Sequence, residues 1–172
     1  LSTYENYENS EIKKNCSVIK AINIAINSLE SKSKEKNISI FFDDQKEEIE
    51  VACSQEELVQ IAINIIDNSI KYSKENTNIF IEYHIVGETK SSQKYLDIVF
   101  KDQGLGIAEE HIPRLTERFY RTDVARSREV GGTGLGLSIV KHILNNNRGF
   151  IAINSKIGKG SEFRVSLPLV IS

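Results

Sequence analysis

Within the stretch "LVQIAINIIDNSIKYS", Asn64, Asn68 and Lys71 stand at i, i+4 and i+7, one stripe of a helix, with Asp67 beside it. Asparagine is a poor helix former, and a solvated stripe more often draws on Glu, Lys or Gln. Amide oxygens are hard neutral ligands, and Mg²⁺ is typically held by a few protein oxygens plus substrate phosphates and waters. The stripe reads either as a half-buried surface for a metal and phosphate, with Lys71 meeting phosphate charge, or as a solvent-facing stripe in an Asn-rich chain. The residues by themselves weigh these two evenly.

Three other constellations could do chemistry. In "DIVFKDQGLGI", Leu96, Ile98 and Phe100 alternate as in a strand, and Asp102 ends it before Gly104, Gly106 and Ile107. Asp-x-Gly is a common tight turn. It could equally be a carboxylate on a pocket floor, with glycines letting a planar group close in. An acidic acceptor suits the amino group of adenine and repels the carbonyl that guanine shows there. Between Pro113 and Gly132 lie Arg114, Arg118, Arg121, Arg126 and Arg128, five of the seven arginines in the chain, with Phe119 and Tyr120 among them. Arginine clusters where bidentate contact to phosphate or carboxylate matters, which weakens the reading as a solvated charge run. Finally, "GGTGLGLSIVKHIL" puts four glycines in six residues ahead of an amphipathic run. It lacks the spacing of a dinucleotide fingerprint and the Lys-Ser/Thr of a Walker loop. Glycines at a helix start expose N–H groups at its positive end, an anion cradle that a hinge would not exclude.

These residues need elements to position them. Val18, Ile22, Ala25/Ile26 and Leu29 recur at helical spacing. "KNISIFFDD" and "EEIEVAC" are short strand candidates. Ser54 followed by Glu57 reads as a capping box for a helix reaching about Tyr72. "NIFIEYHIV" and "KYLDIVFKD" are strands around "GETKSSQ", and residues 108–117 are short helical turns at Pro113. A last helix runs to about Asn146, its Leu137, Val140 and Leu144 facing the core, and "GFIAINS" and "SEFRVSLPL" close the chain as a hairpin around "KIGKG". The order argues for a two-layer α/β sandwich, a mixed, mainly antiparallel sheet of about five strands covered on one face by about three helices.

The chain has 172 residues, 40% of them hydrophobic and 27% charged, with net charge −2. That balance points to neither nucleic acid nor an anionic membrane as partner. No apolar run approaches the ~20 residues of a membrane span. Cys16 and Cys53 match no metal spacing and read as two reduced thiols of a cytosolic protein. The absence of methionine and the start at Leu1 lead us to expect a piece of a longer protein. Residues 1–14 are polar and aperiodic, an arm or linker remnant, leaving 15–172 as the domain.

Together, "NIIDNSIKYS", "DQGLGI", "ERFYR" and "GGTGLGLSIVKHI" resemble the N, G1, F and G2 boxes of the ATP-binding catalytic domain of sensor histidine kinases. That domain is shared in superfamily with gyrase, Hsp-type chaperone and mismatch-repair ATPases, and the resemblance covers roughly residues 38–170. It implies ATP and Mg²⁺ as cofactors. Asn68 would be the Mg²⁺ ligand with Asn64 supporting it, Lys71 would meet phosphate, and Tyr72 would lie by the adenine. Asp102 would bind the adenine amino group. Phe119 and Tyr120 would anchor a lid, Arg121 would reach the terminal phosphate, and Gly132, Thr133, Gly134, Leu135, Gly136 and Leu137 would cradle the phosphates.

The chain departs from the family at Thr116, where Phe is frequent, at Ser69, where Ala is usual, and at "NRG", which replaces a frequent His-Gly-Gly and should alter only a turn. His84, His111 and His142 do not fit the phosphoacceptor. The implied partners are therefore an acceptor-histidine dimerisation domain outside this stretch and a response regulator. The resemblance further implies a monomeric fragment of a homodimeric parent, with the catalytic portion in the cytoplasm. Two rivals stand beside this reading: an ATPase of the same superfamily with Asp67 orienting water, and a nucleotide-binding sensor module without phosphotransfer.

Overall fold

The computed structural model describes residues 14–87, 93–121 and 136–170. Its elements run in chain order as β1 (Cys16–Ser17), α1 (Val18–Ser28), α2 (Glu30–Glu35), β2 (Ser39–Phe42), β3 (Glu50–Val51), α3 (Gln55–Tyr72), β4 (Asn78–Val86), β5 (Tyr95–Asp102), a 3₁₀ helix (Glu109–Arg114), α4 (Gly136–Asn146), β6 (Phe150–Lys156) and β7 (Gly160–Pro168). Five strands form one sheet in the order β2-β4-β5-β7-β6, with β2 parallel to β4 and every other pair antiparallel. The expected two-layer sandwich is what the chain builds. A second, two-stranded sheet pairs β1 with β3, an element the sequence did not announce.

The strand period decides which side chains meet the helices. Ile81 pairs with Phe100 and Phe100 with Phe163; Tyr83 pairs with Ile98 and Ile98 with Val165. All six are buried, and together they form the floor under the helical layer. Because side chains alternate, Leu96, Ile98, Phe100 and Asp102 share one face of β5. The last of that row is a carboxylate, so β5 carries a charge into the seam between sheet and helices.

Helix α3 lies between α1 and α4 and reaches down to β5. It buries Leu58, Ile61, Ala62, Ile65, Ile66, Ser69 and Ile70, and each large aliphatic contributes on the order of 1.5–3 kcal/mol. Its start is fixed by Ser54, whose Oγ accepts the Glu57 N–H (3.1 Å) and donates to Glu57 Oε1 (2.9 Å). The expected box is there, with Glu57 reaching the cap's hydroxyl. Glu57 also accepts from Lys14 Nζ (2.9 Å) and from Asn147 Nδ2. Burial pushes the Glu57 carboxyl up, and the Lys14, Asn147 and Ser54 bonds outweigh it, leaving it below the usual range. Asn147 thus ties the end of α4 to the start of α3, more than the altered turn expected of it. Arg148 after it takes the left-handed conformation (φ 57) that ends the helix.

Among the described residues no helix is long and apolar enough to cross a membrane.

Candidate functional site

The polar stripe of α3 is half-buried along its length: Asn64, Asp67, Asn68, Lys71 and Tyr72 are all partly covered. Asn64 Nδ2 is buried, with no hydrogen-bond partner among the described residues. An unsatisfied buried amide costs about 1–3 kcal/mol, so an acceptor brought to this donor would be stabilising. Gly136, the first residue of α4, lies against it: a Cβ there would sit 3.6 Å from Asn64 Oδ1. The stripe and the helix start expected to cradle phosphate therefore meet. Lys71 Nζ is paired with Asp67 Oδ2 (2.9 Å), and Lys32 holds Asp67 Oδ1 (3.1 Å). Burial pushes the Asp67 carboxyl up, and the two lysines more than offset it, holding it below the usual range.

Asp102 closes the other side. Its Oδ1 accepts the backbone N–H of Gly104 (2.9 Å) and of Ser161 (3.1 Å). Burial pushes its carboxyl above the ordinary aspartate value; the Gly104 amide, the Ser69 hydroxyl and the Ser161 amide work against that rise. Ser69 Oγ lies near enough to favour the anion but outside hydrogen-bonding geometry. With Oδ1 taken by two amides, Oδ2 is the acceptor left for a donor from outside.

The glycines after Asp102 were expected to admit a planar group. What they admit in the structure is the protein's own backbone. A Cβ on Gly104 would lie 2.9 Å from Tyr72 O, and one on Gly106 (φ 75) would lie 2.0 Å from Lys156 O. Leu105 N–H bonds Tyr72 O (3.1 Å), Gly158 N–H bonds Leu105 O (2.7 Å), and Ile107 N–H bonds Ser155 Oγ (2.8 Å). The loop is thereby clamped between the end of α3 and the β6–β7 hairpin, and Ile107 packs on the core. Tyr72 is half-buried; burial pushes its phenol up, and Arg121 is close enough to offset part of that.

The two aromatics expected to anchor a lid differ in their surroundings. Tyr120 bonds His111 Nδ1 through its hydroxyl and lies under the Arg114 guanidinium, 4.4 Å from ring centroid to Cζ. Phe119 is 64% exposed at φ 63, with Arg118 Cζ 5.6 Å from its ring centroid. Leu137 sends its side chain into the core, so only its backbone is left to face a ligand. Arg126, Arg128, Gly132, Thr133, Gly134 and Leu135 lie outside the described residues.

Sequence reasoning missed Ser161, Ser155, His111 and Lys36. Lys36 Nζ donates to the carbonyls of Ile70 (2.8 Å), Lys71 (2.9 Å) and Ser73 (3.1 Å), capping the end of α3 from a distant turn. The glycine density of "KIGKG" was the one available signal that something packs closely on that hairpin.

Residues 53–171 match the family described as histidine kinase-, DNA gyrase B-, and HSP90-like ATPase. The chain is 35% identical over 162 residues to the sensor histidine kinase YkoH of Bacillus subtilis (strain 168), covering 94% of this chain and 33% of that protein. Among solved structures, the mycobacterial sensor histidine kinase MprB superposes with a TM-score of 0.72 at 21% identity, covering 92% of this chain and all of that one. Full-length ShkA in complex with AMPPNP gives 0.69 at 20% identity, covering 91% of this chain and 31% of that one. At those identities the likeness to the two structures is one of fold. The chain spans a third or less of the length of the curated relatives that it matches.

Proposed function

Because this chain belongs to the histidine kinase-, DNA gyrase B-, and HSP90-like ATPase family, we propose that it is the ATP-binding catalytic part of a sensor histidine kinase. It binds Mg-ATP and donates the γ-phosphoryl group to a histidine on a separate dimerisation domain, which then serves a response regulator. The observation that carries this reading is the buried Asp102, whose Oδ1 is satisfied by Gly104 and Ser161 while Oδ2 is left to accept an adenine amino group. The AMPPNP in the ShkA structure supports it.

The donor set fits Mg²⁺ with a nucleotide. Among the described residues no group of three His, Cys, Asp or Glu could hold a metal alone, and Mg²⁺ in such sites takes few protein oxygens and several from phosphate and water. Asn68 and Asn64 would supply amide oxygens, and a phosphate oxygen would meet the unpaired Asn64 Nδ2 donor. Bound there, Mg²⁺ would neutralise phosphate charge.

The chain's own residues then position and neutralise, which is most of what phosphoryl transfer asks of a protein. Asp102 fixes the base, and Tyr72 lies beside it. Lys71 exchanges Asp67 for a phosphate oxygen while Lys32 keeps the Asp67 charge balanced. Arg121 reaches the terminal phosphate, and the N–H groups at the start of α4 face the anion. The attacking histidine comes from the other domain. A water-activating role for Asp67 is disfavoured, because Lys32 still pairs with it when Lys71 turns to phosphate, and a carboxyl held below the usual range is a weak base.

The deciding experiment supplies the parent's acceptor-helix domain and labelled ATP. Acid-labile phosphate on that domain is the expected result. Hydrolysis without transfer would assign the chain to the ATPases, and binding with neither would make it a nucleotide sensor.

A further inference from the structure

Cys16 and Cys53 are 37 residues apart in sequence, yet their Sγ atoms lie 3.6 Å apart. Both are free thiols in the core, with exposures of 4% and 0%. Local structure explains the meeting. β1 pairs with β3 so that Cys16 stands opposite Val51. Directly after β3 the Cys53 N–H turns back onto Val51 O (3.0 Å), which returns its thiol to β1. No third ligand is available for a metal among the described residues. Covalent closure needs only that the two sulfurs approach.

We propose that Cys16 and Cys53 form a modification site, a dithiol that closes to an intramolecular disulfide when it meets a peroxide. The Cys16 thiolate attacks one peroxide oxygen and the O–O bond breaks. With hydrogen peroxide, the departing hydroxide takes a proton and leaves as water, and Cys16 becomes a sulfenic acid. The Cys53 sulfur then attacks the Cys16 sulfur, the S–O bond breaks, and a second water leaves. The sulfurs give up two electrons, the peroxide accepts them, and both thiol protons end in water. Cys16 is the attacking side because β1 is only two residues long and follows the exposed Lys14 and Asn15, so its opening is the shortest route for an oxidant. The bond from Cys53 also holds the Cys16 thiol below its ordinary value, and the same bond pushes Cys53 up.

The disulfide would sit at a joint of the fold. Cys53 immediately precedes Ser54, the cap of α3, and Lys14, two residues before Cys16, already pairs with Glu57 in the first turn of that helix. Oxidation would add a covalent bond to a junction that now rests on packing, the Lys14–Glu57 ion pair, the β1–β3 ladder and the Val18 N–H bond to Ile49 O. The inference stands apart from the nucleotide reading and can fail without it.

The test treats this chain, dilute and folded, with hydrogen peroxide. A non-reducing peptide map should show Cys16 joined to Cys53 in a monomer whose mass falls by two hydrogens. Melting should rise by several degrees, reversibly with dithiothreitol, as for a bridge across a loop of this length. In Cys53→Ser the oxidation should stop at a sulfenic acid on Cys16 that a dimedone probe traps. Oxidised species that lack the Cys16–Cys53 link, bridges only between molecules, or intact thiols under conditions that crosslink the unfolded chain would each overturn the proposal. The map of the unmutated protein decides even if the variant does not fold.

Discussion

Ser161 donates its backbone N–H to Asp102 Oδ1 (3.1 Å) across 59 residues of sequence, so the hairpin that closes the chain orients the carboxylate at the pocket floor. Gly160 makes the approach possible. It adopts φ 87, and a Cβ there would lie 2.1 Å from Asp102 O. The amide cannot reach the carboxylate unless the backbones come this close.

Nucleotide affinity should therefore depend on pH through Asp102. Its folded-state value is raised by burial, so between the ordinary aspartate value and the raised one the folded state binds more protons, and protein stability falls as pH rises through that window. Base binding runs the other way: with Oδ1 taken by two amides, the proton would sit on Oδ2, the oxygen that must accept the adenine amino group. ATP affinity should weaken as pH falls through the raised value, earlier than an ordinary aspartate would titrate. Asp102→Asn should remove that dependence and most of the ATP-over-GTP preference, about 1–3 kcal/mol. Calorimetric titration of both nucleotides at several pH values checks it, and equal ATP and GTP affinities in the unmutated chain would sink the assignment.

Asn68→Ala should abolish the Mg²⁺-dependent tightening of ATP binding and leave melting nearly unchanged. Asn68 is partly covered, and none of its side-chain atoms is both buried and unsatisfied. A sharp fall in melting temperature with the Mg²⁺ dependence intact would show that the stripe is structural.

Gly106→Ala should destabilise the fold. The residue sits at φ 75, with Lys156 O 2.0 Å from where a Cβ would be. The left-handed conformation alone costs a non-glycine residue about 1–3 kcal/mol, and relieving the clash must displace the hairpin. Chemical denaturation should show a loss at or above that range. A wild-type midpoint would mean that the loop is not clamped in solution.

The long elements were legible because each repeats a period: α3, α4, β4, β5, β6 and β7 all fall where alternation or helical spacing puts them. β1 carries no period in two residues; β3 falls within "EEIEVAC", read as a strand, but its pairing with β1 comes from the fold around them. The parallel partnership of β2 with β4 was equally hidden, since register across a crossover leaves no local mark. At the candidate site, Asn64, Asn68, Lys71 and Asp102 could be singled out as candidates from residue type and spacing. The donors that hold them could not. Ser161 acts through its backbone, and Lys36 acts from the turn after α2. The two cysteines looked like unrelated thiols because only the β1–β3 ladder brings them together.

Lys36 carries the last prediction. An ammonium at the negative end of a helix is favourable, by up to about 2 kcal/mol when partly buried, and this one bonds three carbonyls around the end of α3. That turn holds Lys71 and Tyr72, and Tyr72 O in turn holds Leu105. Lys36→Met keeps the aliphatic stem and removes the donors, leaving carbonyls short of partners at a cost of about 1–3 kcal/mol. Melting should fall accordingly. ATP affinity, measured well below the melting transition, should fall as well, because the turn that presents Lys71 and Tyr72 loosens. Lys36→Arg should restore part of both, since a guanidinium can still donate to the same carbonyls. A Met variant that melts normally would show the cap to be dispensable. One that melts early yet binds ATP normally would confine Lys36 to stability.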